Sequence, residues 1–236
     1  MTDVLTVENV SAGYDRRTVV NECSLRLGEG ELVALIGHNG GGKSTLLKTI
    51  SGLLPCRSGT IEHCGEHVGR FNASKRVGRG LCLVPQLGNT FPDLSVDENL
   101  ALSARMRYKR EADRTAAIAD VYELFPILKE RVRQAAGQLS GGQRQMLAIS
   151  IALLKQPKVL LLDEPSLGLS PALAGQVLAK VRQISQERDT AVLIVEQNVR
   201  DVLRVATRAY VMQSGRITLS DSSDRILQRT DLFSLL

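Results

Sequence analysis

Tryptophan is absent from this chain, and four phenylalanines, four tyrosines and three histidines are all that its 236 residues hold of those types. So few aromatics exclude an interleaved stacking platform of the kind that binds single-stranded nucleic acid. His38, His63 and His67 are the three imidazoles, so no histidine follows residue 67. Long apolar runs are missing as well. Stretches such as Val159 to Leu162 and Ala191 to Val195 fall far short of the roughly 18 residues that span a bilayer, so membrane association is expected to come through a partner. Met1-Thr2-Asp3-Val4 lacks both the basic segment and the apolar stretch of a secretion signal, which places the chain, as an expectation, in the cytosol with reduced thiols. Cys23, Cys56, Cys64 and Cys82 form no C-x-x-C pair; Cys56, His63, Cys64 and His67 are close in sequence, but their spacing matches no zinc pattern. The net charge of +5 comes from 30 basic and 25 acidic residues. These are mixed, as between Arg105 and Arg114, with no polybasic tail, which argues against a nucleic-acid partner.

No internal repeat and no low-complexity linker divides the chain. Residues 1–35 alternate short apolar stretches with turns at Gly13, Gly28 and Gly30, predicting a small, largely antiparallel sheet. Leu32 to Ile36 then reads as a buried strand, followed by a glycine loop and a helix carrying Leu46, Leu47 and Ile50. After Gln86 the texture changes. Ser95-Val96-Asp97-Glu98 has the S-x-x-E form of a capping box, Ile118, Val121, Leu124 and Phe125 keep a helical period, and Pro126 marks a boundary. From Lys158 onward, strands at Val159 to Leu162 and Ala191 to Val195 alternate with a helix opening at Ser170-Pro171, which implies a parallel sheet in an α/β fold.

The chemistry is concentrated in three places. Gly37-His38-Asn39-Gly40-Gly41-Gly42-Lys43-Ser44, followed by Thr45, matches G-x-x-x-x-G-K-S. A nucleoside triphosphate carries several negative charges, and glycines let backbone amides surround them without side chains in the way. Lys43 is positioned for the β- and γ-phosphates and the Ser44 hydroxyl for magnesium. Asp163 ends an apolar strand and is followed by Glu164, so that one carboxylate addresses the metal and the other the attacking water. Leu139-Ser140-Gly141-Gly142-Gln143 lies between them in sequence. Ser140 to Gln143 reads either as the capping box of a helix through Met146 and Ile149 or as an anion site on an exposed helix N-terminus, and the two readings are compatible.

These three motifs resemble the nucleotide-binding subunit of an ABC transporter, over nearly the whole chain. The resemblance implies a P-loop ABC ATPase cassette: one domain over 1–236, with a RecA-like core and antiparallel β lobe at 1–86 and 156–236, and a helical signature subdomain at 87–155. It implies ATP and Mg2+ as ligands, with Glu164, Gln197 and Lys43 catalytic. Ser44, Asp163 and Gln86 are placed at the metal. Tyr14, the loop from Gly37 to Thr45, Gln86 and Ser140-Gly141-Gly142-Gln143 are placed around the nucleotide, with Tyr14 stacking on adenine. Two cassettes of the family close head to tail, each ATP lying between one phosphate loop and the other's signature serine. Gln197, in Ile194-Val195-Glu196-Gln197-Asn198, stands where most members have a histidine; an amide donates a hydrogen bond but carries no proton or charge near neutral pH. Ser150-Ile151-Ala152-Leu153 also departs from cassettes that place an arginine there. Val195-Glu196-Gln197-Asn198, Glu164 to Pro171 and Tyr122 to Pro126 are similar to one of the two ATPases of branched-chain amino acid importers, whose relatives handle urea or amides. That likeness implies a second ATPase subunit (a heterodimer, with a homodimer as the alternative), two transmembrane permeases, indirectly an extracytoplasmic binding protein, and a place on the cytoplasmic face of the membrane. Soluble ABC machinery and a regulatory module that binds ATP without hydrolysis are the competing readings.

Overall fold

Strands with opposite hydrophobic patterns build two different sheets. The computed structural model describes residues 3–86 and 89–229. In β1 (Asp3–Tyr14) and β2 (Arg17–Gly28), buried and exposed residues alternate, and the two pair antiparallel around the turn at Asp15. In β3 (Leu32–Ile36) all five residues are buried, the mark of a strand covered on both faces. The first sheet has the order β2-β1-β4-β5, its outer half supplied by β4 (Ser58–His63) and β5 (Glu66–His67). Those last two strands carry almost no apolar signal, since only Ile61 and His63 are buried, and so the sequence pattern does not mark them.

The second sheet has six strands. With β6 (Leu81–Val84), β7 (Val159–Asp163), β8 (Ala191–Val195), β9 (Arg208–Gln213) and β10 (Arg216–Ser222), its order is β10-β9-β3-β8-β7-β6; β9 through β6 run parallel and β10 is an antiparallel edge. Period two decides which core each residue joins. Leu160, Leu162, Val192 and Ile194 face one core, while Val159, Leu161, Leu193 and Val195 face the other.

The second of these cores lies between the two sheets and takes in Leu46, Leu47 and Ile50 of α1 (Lys43–Ser51). The first is closed by the helices α3 (Val96–Arg107), α4 (Glu111–Leu124), α5 (Pro126–Glu130), α6 (Gly141–Leu153), α7 (Pro171–Glu187) and α8 (Val199–Val205). Leu100, Leu128 and Leu147 are fully buried there; each such side chain contributes about 1.5–3 kcal/mol of transfer free energy. Ser95 opens α3 with both halves of its capping box formed, and Ser170 caps α7 ahead of Pro171 at N1. α2 (Ala73–Gly78) presents Arg76, almost fully buried, whose guanidinium donates to the carbonyls of Thr49, Ile50, Gly69 and Phe71. It thereby satisfies two last-turn carbonyls of α1 and braces that helix from behind.

His63 is buried with its ring nitrogens facing the carbonyls of Val4 and Arg79. Cys56 and Cys64 are free thiols, and no His, Cys, Asp and Glu grouping suited to a metal ion occurs among the described residues. No helix among the described residues is long and apolar enough to cross a membrane.

Candidate functional site

The parallel strands bring their carboxyl ends together, and there the phosphate loop leaves β3. Gly37 has a φ of 142°, and a Cβ at that position would stand 2.0 Å from the Met212 carbonyl oxygen. Only glycine lets the loop lie this close to the end of β9. The loop is further tied by Gly215 N donating to Gly41 O at 3.0 Å, and Gly215 O in turn accepts from Asn21 N at 2.8 Å. Gly42, with φ 102°, is the N-cap of α1; no side chain caps that helix and no acid lies in its first turn. The helix therefore presents its amide donors and partial positive charge at the loop.

Lys43 is 5% exposed, and its ammonium donates to Gly37 O at 2.6 Å and His38 O at 2.9 Å. The cation is thus folded into the curve of the loop. Burial pushes its pKa down, with the charges of Glu164 and Asp163 pulling it back up. His38 and Asn39 are exposed at the loop's outer turn, and Thr45 is buried with its carbonyl accepting from Thr49 Oγ1. Ser44 Oγ donates to Asp163 Oδ1 at 2.9 Å. Asp163 is 4% exposed at the end of β7; burial raises its carboxyl above the usual range, the Ser44 hydrogen bond opposes this, and the neighbouring Glu164 charge adds to the rise. A buried carboxylate beside a hydroxyl is a hard-oxygen pair, which fits a divalent cation such as magnesium.

Glu164 follows with φ 51°, a left-handed conformation for a residue with a side chain. Such a conformation costs on the order of 1–3 kcal/mol and persists where the surroundings enforce it. The enforcement comes from Glu164 N donating to Val195 O at 2.9 Å and from the turn closed by Leu167 N donating to Glu164 O at 3.2 Å. Glu164 Oε2 accepts from Gln86 Nε2 and from Gln197 Nε2, both at 2.9 Å. The resemblance set Gln86 at the metal and Gln197 at the catalytic position where most members have a histidine. In the structure both amide nitrogens turn to the carboxylate between them, the strongest acceptor within their reach.

Ser140 and Gln143 form a complete capping box at the start of α6: Gln143 N donates to Ser140 Oγ at 3.3 Å, and Ser140 N to Gln143 Oε1 at 3.1 Å. The glycines between them are packed by side chains from the segment that follows Glu164. A Cβ on Gly141 would meet Leu169 Cδ2 at 3.3 Å, and one on Gly142 would meet Leu173 Cδ1 at 3.5 Å. Tyr14 stands 45% exposed at the end of β1.

Three contributors escape the sequence reading. Met212 supports the phosphate loop through its carbonyl, which leaves no mark on residue type, and Gly215 through its amide, at a φ of 81° where a Cβ would stand 2.1 Å from Val19 O. Glu196 does leave a mark, as an acid directly after the fully buried strand β8; it is 1% exposed, and its two carboxylate oxygens accept from Ser166 N and Gln197 N.

Comparison with known proteins agrees with this geometry. The family model described as ABC transporter matches residues 20–167. A high-affinity branched-chain amino acid transport ATP-binding protein, BraG of Pseudomonas aeruginosa, is 42% identical over 224 residues, 95% of each chain. A probable branched-chain amino acid transport ATP-binding protein, LivF of Archaeoglobus fulgidus, is 34% identical over 95% of this chain and 94% of its own. In fold, the chain superposes with a TM-score of 0.83 on a dimeric ATP-binding cassette solved in a post-hydrolysis state with ADP and Pi, at 22% identity over 93% of this chain and 98% of that one. This chain belongs to the ABC transporter family, and it is an ATPase of that family.

Proposed function

We propose that the chain is the magnesium-dependent ATPase subunit of an importer for branched-chain or related amino acids. The observation that carries this reading is the bonded series Ser44–Asp163 and Gln86–Glu164–Gln197 beside a loop that encloses the Lys43 ammonium. The amides of Gly37 to Thr45 and the N-terminus of α1 hold the triphosphate, and Tyr14 lies against the adenine. Lys43 turns from its loop carbonyls to the β- and γ-phosphates. Ser44, Asp163 and Gln86 hold magnesium, which when bound offsets the phosphate charge. Glu164 takes the proton of the attacking water. The amides of Gln86 and Gln197 hold its carboxylate in place, and Gln197 donates toward the γ-phosphate. Ser140 to Gln143 of the partner ATPase complete the site from the other side; this chain's own Ser140 to Gln143 do the same for the partner's nucleotide. The pairing is with a second, different ATPase subunit, as the two-ATPase importers pair.

The core and antiparallel lobe at 1–86 and 156–236 carry the phosphate loop, and the helical segment 87–155 carries the signature. Two permeases dock at that segment, placing the subunit on the cytoplasmic face of the membrane, and an extracytoplasmic binding protein meets the permeases. Leu87 and Gly88, in the apolar stretch from Val84 to Leu102 taken here as the dock, lie outside the described residues. Phe91 and Leu102, 56% and 41% exposed, supply its apolar contact. Charge reversal at Asp97 and Glu98 is a poor probe of this dock, because Glu98 completes the cap of α3 and Asp97 accepts from the Tyr122 hydroxyl. Phe91→Glu with Leu102→Glu is the cleaner test: co-purification of the permeases should be lost while the isolated chain still binds ATP, and retained co-purification removes these residues from the dock.

The deciding experiment measures Mg2+-dependent ATP hydrolysis by the chain alone and with its sibling ATPase and permeases, with Glu164→Gln as control. Transport coupling predicts turnover that rises on assembly and falls about 10²–10⁴-fold in the control, the usual range for losing a general base. Full turnover without the permeases points instead to soluble ABC machinery.

A further inference from the structure

Glu196 is the one carboxylate at this end of the sheet that the reaction scheme leaves unused, and its surroundings are specific. It is 1% exposed, directly follows the fully buried β8, and directly precedes Gln197. Isolated, such a carboxylate is costly to bury. Here Oε1 accepts from Ser166 N at 2.9 Å and Oε2 accepts from Gln197 N at 3.2 Å. Each bond holds a segment that leaves the sheet end near the phosphates. Ser166 lies two residues after Glu164, in a loop whose start is left-handed and whose turns are closed by Leu167 N donating to Glu164 O and Leu169 N donating to Ser166 O. Gln197 donates from its side chain back to Glu164 Oε2. Glu164 and Ser166 on one segment and Glu196 and Gln197 on the other are thus cross-linked by two side-chain hydrogen bonds, Ser166 N to Glu196 and Gln197 Nε2 to Glu164, and Glu196, the buried member of the four, also fixes its own turn through Gln197 N. The same loop carries Leu169 onto Gly141 at the start of the signature helix α6.

We infer that Glu196 is a positioning residue for ATP hydrolysis: it fixes the loop 164–169 against the 196–198 turn, so that Glu164 and Gln197 keep their mutual geometry while the loop's far end seats the signature helix. The inference rests on the role proposed above for Glu164. Both amides need an acceptor, and the carboxylate supplies one oxygen to each. Glutamine, of the same size, offers one carbonyl oxygen and sets an NH2 group against the second amide. Aspartate keeps the charge and both oxygens but retreats by one methylene, so it is the conservative variant.

The test uses the assembled transporter with Glu196→Gln, Glu196→Asp, Gln197→Ala and the Glu196→Gln/Gln197→Ala double variant, read as kcat, KM for ATP and ADP affinity. Positioning predicts that Glu196→Gln lowers kcat about 10-fold or more with KM and ADP affinity within about twofold, the pattern of an interaction expressed in the transition state. Glu196→Asp should recover part of that loss. The double variant should be little worse than the poorer single one, since the two act on the same geometry. Unchanged kcat in Glu196→Gln overturns the inference. So does a fall in nucleotide affinity that matches the fall in kcat in both the Gln and the Asp variants, because that is general loosening. Additive losses in the double variant overturn it as well. If Glu196→Gln cannot be recovered folded, Glu196→Asp carries the same kcat-against-KM reading alone and in combination with Gln197→Ala. The parent reading fails separately, by Glu164→Gln leaving wild-type turnover intact.

Discussion

The phosphate-loop end and the signature end of this molecule solve the problem of anion binding with opposite degrees of completion. At the first, Lys43 and Asp163 are nearly buried, and hydrogen bonds tie Lys43 to its own loop, Ser44 to Asp163 and two glutamines to Glu164. Groups from strands far apart in sequence are already assembled. At the second, Ser140 is exposed, Gln143 is half-buried, and the two bond to each other. The signature end is a finished helix start and, in the function proposed above, half of a binding site. Under that function, the contrast means that the first end holds nucleotide within this chain alone, and the second acquires its function when a second cassette brings a phosphate to it.

Substitutions at the two ends should separate accordingly. Lys43→Ala should act on the isolated chain: titration with ATP should show binding weakened by about 10²-fold, and turnover of the assembled complex should fall by about 10³-fold, at or above the cost of removing one charged donor. Ser140→Ala should leave that titration within about twofold and lower turnover only on assembly, by about 10²-fold; its loss of an N-cap, about 1 kcal/mol, is expected as a small fall in melting temperature. A Ser140→Ala chain that binds ATP poorly by itself would collapse the distinction between the two ends. The smallest effect is expected at the switch position. Gln197→His supplies a group that can carry charge near neutral pH, and turnover of the complex should rise about threefold, equivalent to roughly 0.6 kcal/mol, with the gain largest on the acidic side where the imidazole is protonated. Equal turnover for the two side chains would show that the amide is no handicap.

The phosphate loop and the helix caps were legible because their determinants are local. Gly37 to Ser44 sits between a five-residue apolar strand and an amphipathic helix, and Ser95–Glu98 and Ser140–Gln143 carry both halves of their capping boxes within four residues. The convergence on Glu164 was not legible. Gln86 is 78 residues away and Gln197 is 33, and the chain brings them together because β6, β7 and β8 are neighbours in the parallel sheet. That strand order is a tertiary outcome with no residue pattern of its own. The strands β4 and β5 were missed for a different reason: both are rich in polar residues and bury little, β4 as an inner strand and β5 as the two-residue edge. Glu196 stood in a quoted motif with no role, since nothing in one sequence says whether an acid after a strand faces solvent or turns inward.

The close approach of Gly37 to Met212 and the bond from Gly215 to Gly41 have a consequence for how this protein tolerates variation. The hairpin between β9 and β10 props the nucleotide loop with main-chain atoms, so its support depends on the course of the backbone, which is left-handed at Ser214 (φ 46°) and Gly215 (φ 81°). A point-substitution survey of the turn at Ser214 would favour residues that accept a left-handed backbone and penalise β-branched ones and proline. Removing or adding a single residue there would shift the supporting carbonyl and amide out of register together, and the loop would lose its footing without any change in its own sequence. In this part of the molecule, chain length is held more tightly than chemistry.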